Sequence, residues 1–443
     1  MTSGESTSID DPGTVALPDS GPAGERRPRW KHRYSVLGIL SAAYLLCYAA
    51  RMMMASAAPF IAAELHLSPL QVGAVLSAFF LGYSLMQIPG GLLVDKFGPR
   101  RMLTIAIAGW SVFTAVTGLI GSLSGLLLMR VLFGASEGAF PSSASKALAA
   151  WFPQREVGRA NGIMLAATQL GASVAPSFVA VLVLTWGWRS AFYCLLLPGL
   201  LLAGLIRTWV KDSPTQSHRM SARELAEYDQ EGMSSPRESF TGFRALSSPL
   251  RTPAVWWCFV AAFFSNLATW GLMNWLPTYL LQARGFSATE MGLFAALPSL
   301  AGAVGYALGG QISDRWFARR RQIPVSIGLI LSAGFTYLAA TSSSGEASVA
   351  HLGAAFFFLL SADLGICTLP MVIVPRHSIG SAFGIVNTAA QLAGFLSPLL
   401  TGYVLNLTGN DFPLVFQGFV ACLLLAAAAA SRITCLENPR PAD

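Results

Sequence analysis

Charge is scarce in this chain. Of its 443 residues only 12% are Asp, Glu, Lys or Arg, where an ordinary soluble domain carries roughly 25%. That shortfall excludes a typical soluble globule. The six cysteines, Cys47, Cys194, Cys258, Cys367, Cys422 and Cys435, are scattered. None pairs with another at ligand spacing, so neither a disulfide framework nor a metal site is expected. No G-x-x-x-x-G-K-[ST] run occurs, which argues against a nucleotide-driven pump, and no cofactor is expected. The serine run 141–145 has no nearby histidine on a helix to activate it, so nucleophilic catalysis finds no support.

What is there is apolar. Hydrophobic residues make up 53% of the chain and the mean hydropathy is +0.55. Twelve stretches are long enough to cross a bilayer, which takes about 20 apolar residues. They lie near 34–57, 71–94, 101–121, 124–147, 159–184, 190–210, 254–281, 290–312, 323–341, 350–374, 380–404 and 412–431. The runs are continuously apolar instead of alternating, so they read as helices that satisfy their own backbone, not as barrel strands. The expected class is an all-α membrane protein with 12 transmembrane helices. The polar start of the chain lacks the apolar core and small-residue cleavage site of a signal peptide and reads as a disordered tail.

The formal net charge is +7, but the basic residues are not spread evenly. Arg189 and Arg284 fall on one side, Arg51 and Arg130 inside apolar stretches, and the others on tails, helix ends and loops of one common side. The positive-inside rule makes that side the cytoplasm and places both termini there. The basic balance is therefore a topology signal, and no nucleic-acid partner is expected. The surrounding bilayer, as a bacterial inner or cell membrane, is.

The chain also repeats itself. The segment around Asp95 (GGLLVDKFGPRR, 90–101) returns around Asp314 (GGQISDRWFARRR, 309–321), 219 positions on. Pro153, Gly158, Gly162, Gln169 and Pro176 return as Pro375, Gly380, Gly384, Gln391 and Pro398, 222 positions on. Two segments at near-equal offset indicate a duplicated six-helix unit, an arrangement that puts a transport site between the halves. The expected division is a tail at 1–33, a first bundle at 34–210, a central loop at 211–252, a second bundle at 253–431 and a tail at 432–443. Within the loop, SARELAEYDQEG (221–232) has the makings of a short amphipathic helix.

At these residues the chain resembles the major facilitator superfamily. Gly91, Asp95, Lys96, Gly98, Arg100 and Arg101 match its loop motif, Arg130 and Gly134 its helix 4 pattern, and Gly171 and Pro176 its helix 5 pattern. Tyr48 with Arg51, LGYSLMQIPGG, RVLFGASEGAFP, WGWRSAF and NWLPTYL resemble the anion–cation symporter branch. That resemblance implies two pseudo-symmetric six-helix bundles, alternating access and a small organic anion as substrate. Proton co-transport is usual in that branch. Exchange of anions, or anion sensing without transport, are the other functions it leaves open. A functional monomer is the usual expectation.

Ionisable residues inside a membrane cost about 2.5–3.5 kcal/mol each on insertion scales and mark function by default. Arg51 lies three residues past Tyr48, on the same helix face. Its planar fork suits a carboxylate or sulfonate, and the resemblance makes it a substrate ligand. Glu137 lies seven residues past Arg130, nearly two turns on. Burial disfavours the charged form of a carboxyl, and the resemblance assigns Glu137 to proton coupling. Arg130 is either a second substrate contact or the partner that keeps Glu137 ionised. Asp363 is a candidate second protonatable group, or a partner of Arg51 across the halves. Many sugar-acid members carry Asp just before the helix 1 arginine, where this chain has Ala50.

Tyr48, Tyr83, Gln169, Trp270, Asn274 and Asn387 complete a candidate substrate cavity. Gln391, the repeat partner of Gln169, reads as structural. Asp95, Arg100, Arg101 and Asp314 read as a gate. At the 222 offset Tyr48 falls on Trp270, whereas Arg51, Arg130 and Glu137 fall on uncharged residues. The expected machinery is thus symmetric and the expected chemistry is not.

Overall fold

A computed structural model describes residues 32–217, 249–317, 320–374 and 378–433. The two chain ends, the expected amphipathic helix at 221–232 and the Asp314 side chain lie outside the described residues. The first half holds α1 (His32–Leu65), α2 (Pro69–Phe97), α3 (Pro99–Thr117), α4 (Leu123–Gly138), α5 (Phe140–Trp151), α6 (Gln154–Trp186), α7 (Trp188–Cys194) and α8 (Leu196–Trp209). The second holds α9 (Pro253–Gln282), α10 (Ala288–Trp316), α11 (Gln322–Thr341), α12 (Gly345–Thr368), α13 (Pro370–Ile373), α14 (Ile379–Thr408) and α15 (Phe412–Ser431).

Three expected spans are each built from two helices, and proline explains each break. Pro141 opens α5, Pro198 opens α8 and Pro370 opens α13. A proline ring lacks the N–H and clashes with the carbonyl four residues back. The carbonyls displaced are those of Glu137, Cys194 and Ile366. The first of these breaks therefore falls on a candidate site residue.

Eleven segments are long and apolar enough to cross a membrane among the described residues. The segment of the expected twelve that is not among them is α3. Arg100 and Arg101 occupy its first turn and dilute an otherwise apolar helix.

The duplication is visible in the packing. In the first half α1 packs on α6, α2 on α4 and α3 on α8; in the second, α9 packs on α14, α10 on α12 and α11 on α15. The halves then meet along α2 with α14 and α6 with α10. Each seam sets a glycine against a proline. Gly73 of α2 lies against the Pro398 carbonyl, where an added methyl would meet the carbonyl carbon at 3.2 Å. Gly292 of α10 lies against Pro176, where a methyl would stand 3.1 Å from the carbonyl oxygen. Beside it Ser177 Oγ donates to the Gly292 carbonyl oxygen at 2.9 Å. Gly73 and Gly292 are 219 positions apart, and Pro176 and Pro398 are 222 apart.

These seams lie at the ends of α2, α6, α10 and α14 away from Asp95. Toward the Asp95 end, Gly158, Gly162, Gly380 and Gly384 face open space. The close glycine–proline contacts between the halves thus lie away from the Asp95 end.

Candidate functional site

Arg51 enters the site from the middle of α1, with its guanidinium set among aromatic rings. Its guanidinium carbon lies 4.5 Å from the Phe79 ring centroid, 4.6 Å from Tyr48, 5.2 Å from Tyr83 and 5.5 Å from Trp270. Cation–π contacts are worth about 0.5–2 kcal/mol each, more when water is excluded. Trp270 belongs to the second half, so this cage is shared across the seam. The repeat pairs Tyr48 with Trp270, and the structure puts both rings against the same cation.

Arg51 Nη2 donates to Glu137 Oε1 as a buried ion pair. Glu137 is 1% exposed and Arg51 6%. Two side-chain atoms of the pair, Arg51 Nε and Glu137 Oε2, have no hydrogen-bond partner among the described residues. A buried charge pair holds only when its remaining polar atoms are satisfied, so this pair is left partly open.

Arg130 makes no direct ion pair with Glu137 among the described residues, although the two charges attract each other. Residues 130 and 137 do share a face of α4, but seven residues rise about 10 Å along a helix. Glu137 reaches Arg51 on the neighbouring helix instead. Arg130 is buried, stacks on Phe133 at 5.0 Å and Phe79 at 5.3 Å, and meets no carboxylate among the described residues. Gly134 is why these groups gather. A methyl there would overlap the Phe79 backbone carbonyl, so its absence lets α4 press onto α2 between Arg130 and Glu137.

Asp363 is also corrected in its partner. It does not reach Arg51. Tyr306 Oη donates to its Oδ2 at 3.0 Å and Asn266 Nδ2 to its Oδ1 at 3.2 Å. The second half thus holds a buried carboxyl against neutral donors.

A cavity of about 160 Å³ opens between the halves beside Asp363. Tyr48 and Gln169 line it from the first half; Trp270, Asn387 and Gln391 line it from the second. Gln169 is buried and its Oε1 has no partner. Asn387 Nδ2 approaches Gln87 Oε1 at 3.4 Å, a link across the halves, and Gln391 Nε2 approaches Asn387 Oδ1 at 3.4 Å. Gln391 is therefore on the cavity wall like its repeat partner, not only in the frame. Asn274 is not on it: its amide donates back to its own helix at the Trp270 carbonyl, 2.8 Å away.

Sequence reasoning missed Asn266, Tyr306, Thr269 and Phe79. A signal existed for two of them. Asn266 precedes Trp270 by one helical turn and shares its face. Tyr306 lies 219 positions past Gln87, so the repeat relates two residues that both border the cavity region.

Of the expected gate residues, Asp95 and Arg100 bond only to residues before the second half among the described residues. Asp95 Oδ1 pairs with Lys146 Nζ at 2.7 Å, in an exposed position. The Arg100 backbone N–H donates to Asp212 at 2.9 Å and its Nε to the Arg207 carbonyl at 2.9 Å. Arg101 is exposed. None of these contacts crosses to the other half.

Known proteins match this arrangement. The Major Facilitator Superfamily model matches residues 40–398. A probable sulfoacetate transporter of Cupriavidus necator is 35% identical, over 91% of this chain and 94% of its own. A probable galactarate/D-glucarate transporter of Escherichia coli is 31% identical, over 89% and 93%. A crystal structure of a bacterial homolog to the human lysosomal transporter Spinster, inward-facing and unoccupied, shares the fold with a TM-score of 0.73. It is 20% identical, and the match covers 91% of this chain and 95% of that one. With its duplicated six-helix halves and a buried charge pair at their junction, this chain belongs to the major facilitator superfamily: it is a multi-pass membrane transporter and not an enzyme.

Proposed function

We propose that the protein carries a compact organic anion, a carboxylate or sulfonate, together with a proton. The observation that carries this reading is the half-open pair of Arg51 and Glu137, with Arg130 buried nearby and its Nε without a partner among the described residues. An incoming anion can take the fork of Arg51 as two charge-assisted hydrogen bonds. Glu137 then loses its cation in a low-dielectric site, where an unpaired carboxylate is costly, and it takes up a proton. Anion and proton enter as a unit, and the site keeps its net charge. The size of the cavity favours a small substrate, since pockets for drug-sized ligands run to about 300–1,000 Å³. The names of the relatives, sulfoacetate and galactarate/D-glucarate transporters, support an anionic one.

Arg51, Arg130, Tyr48, Tyr83, Gln169, Trp270 and Asn387 form the substrate shell of this reading. Glu137 carries the proton and Asp363 is a second titratable position. Asp95, Arg100, Arg101 and Asp314 belong to the gate. In this reading the basic loops and the Asp95 end face the cytoplasm of a bacterial cell, and the glycine–proline seams face outward. The halves rock about the seams as one functional monomer.

Uptake into proteoliposomes under an imposed pH gradient tests it. A substrate anion should accumulate with the gradient in the wild type. Glu137→Gln should keep anion counterflow and lose gradient-driven accumulation. Accumulation undiminished in Glu137→Gln would remove the proton assignment. Counterflow without any response to pH in the wild type would make the protein an exchanger, and binding without flux would make it a sensor.

A further inference from the structure

Asp363, Tyr306 and Gln169 line the cavity, whose Tyr48 and Trp270 rings also belong to the arginine cage. Asp363 stands there as a buried carboxyl, with one neutral donor on each oxygen and no cation in contact among the described residues. A carboxylate offers about four lone-pair sites, and Asn266 and Tyr306 use two. Gln169 adds a carbonyl oxygen that is buried without a partner. Tyr306 spends its only hydroxyl hydrogen on Asp363, so its oxygen too can only accept. Gln391 Nε2 and Asn387 Nδ2 each give one N–H away, to Asn387 Oδ1 and Gln87 Oε1, and each keeps a second. Beside Asp363, a ligand in this space meets oxygens with room to accept hydrogen.

We infer that the substrate carries, a short distance from its anionic head, a group that donates hydrogen bonds, and that Asp363 is the residue that selects for it. This rests on the anion reading above and refines it. A hydroxyl or an ammonium shares the required chemistry. A second carboxylate does not while Asp363 is ionised, because it would bring acceptor against acceptor and like charge against like charge. The inference also gives the second half a share in recognition. The head is held at the cage on α1, α2 and α4, and the tail on α9, α10 and α12. A molecule that satisfies both ends ties the two halves together.

A series of two-carbon sulfonates that differ only in the distal group provides the test. The probes are ethanesulfonate (apolar), 2-hydroxyethanesulfonate, 2-aminoethanesulfonate and sulfoacetate. Binding to the purified full-length protein is measured by titration calorimetry. The hydroxy or amino compound should bind about tenfold or more tightly than ethanesulfonate, the worth of one hydrogen bond to a charged acceptor. Whichever of the two leads identifies the donor. In Asp363→Asn that advantage should fall to near onefold, with the protein still monodisperse. Tyr306→Phe, which frees one carboxylate oxygen, should keep the advantage.

Equal binding of all four probes would overturn the inference, as would sulfoacetate binding best in the wild type. Loss of ethanesulfonate binding in Asp363→Asn would assign Asp363 to the frame of the site and overturn its selective role. If no sulfonate or matching carboxylate binds the wild type, the anion reading itself fails, and this inference with it.

Discussion

Arg51 on α1 and Glu137 on α4 are ion-paired across 86 positions of chain, inside a cage of aromatic rings contributed by both halves. The pair is buried, yet it leaves one oxygen and one nitrogen unmatched. It is therefore stable enough to place two charges in the membrane and incomplete enough to be opened by an anion.

Replacing Arg51 by lysine keeps the charge and removes the fork. A point charge on a flexible stem cannot bind an anion with two parallel hydrogen bonds or stack flat between rings. Arg51→Lys should lower the initial rate of uptake more than tenfold, with an unchanged elution profile. Unimpaired uptake would show that bidentate binding is not used.

Removing the carboxylate has a different signature. In Glu137→Gln, Arg51 and Arg130 both stay buried without an anion, and breaking one side of a buried pair costs about 3–5 kcal/mol. The melting temperature of the unliganded protein should fall. Stabilisation by a bound anion should be larger than in the wild type, because the ligand then replaces a lost partner. Thermal unfolding with and without a candidate anion reads both changes.

The seams should tolerate no added bulk. Gly73→Val and Gly292→Val each press a side chain onto a proline carbonyl of the other half. Both should leave insertion into the membrane intact and reduce transport. Thiol labelling of single-cysteine variants at the Pro69 end should rise, since the halves can no longer close there.

Asp95 and Lys146 form an exposed pair, and such pairs contribute little to stability. Asp95→Asn should leave the melting temperature unchanged. If Asp95 serves the gate, the same variant slows uptake without weakening substrate binding. Unaltered uptake would reduce the pair to a topology signal.

Asn274 separates packing from recognition. Its amide is bonded within α9 and does not border the cavity. Asn274→Ala should leave the KM for uptake unchanged, whereas Gln169→Ala should raise it.

The fold was legible because hydropathy and duplication act over whole helices. A run of about 20 apolar residues and a paired set of Gly and Pro positions survive an error of a few residues. The three helix breaks were also written in the chain, as Pro141, Pro198 and Pro370, but other prolines such as Pro176 and Pro398 sit inside continuous helices. What decides between a break and a bend is the packing around each one.

The site was legible as a set of residues and not as a set of contacts. Spacing along one helix placed Arg130 and Glu137 on one face, yet the decisive contact came from α1. Asp363 stood out as a lone charge, but its partners are a tyrosine and an asparagine on two other helices. Such neutral residues are common in membrane helices, so only their placement distinguishes them.

The two glycine–proline seams bear on ancestry. Each half supplies one glycine helix and one proline helix, and each is met by the complement on the other half. Two separate copies of a single six-helix unit would form both seams at once through a two-fold axis, as a self-complementary dimer does. Joined in one chain, two such copies need no longer be identical. One could acquire Arg51, Arg130 and Glu137 while the other acquired Asp363, and the surface joining them did not have to change.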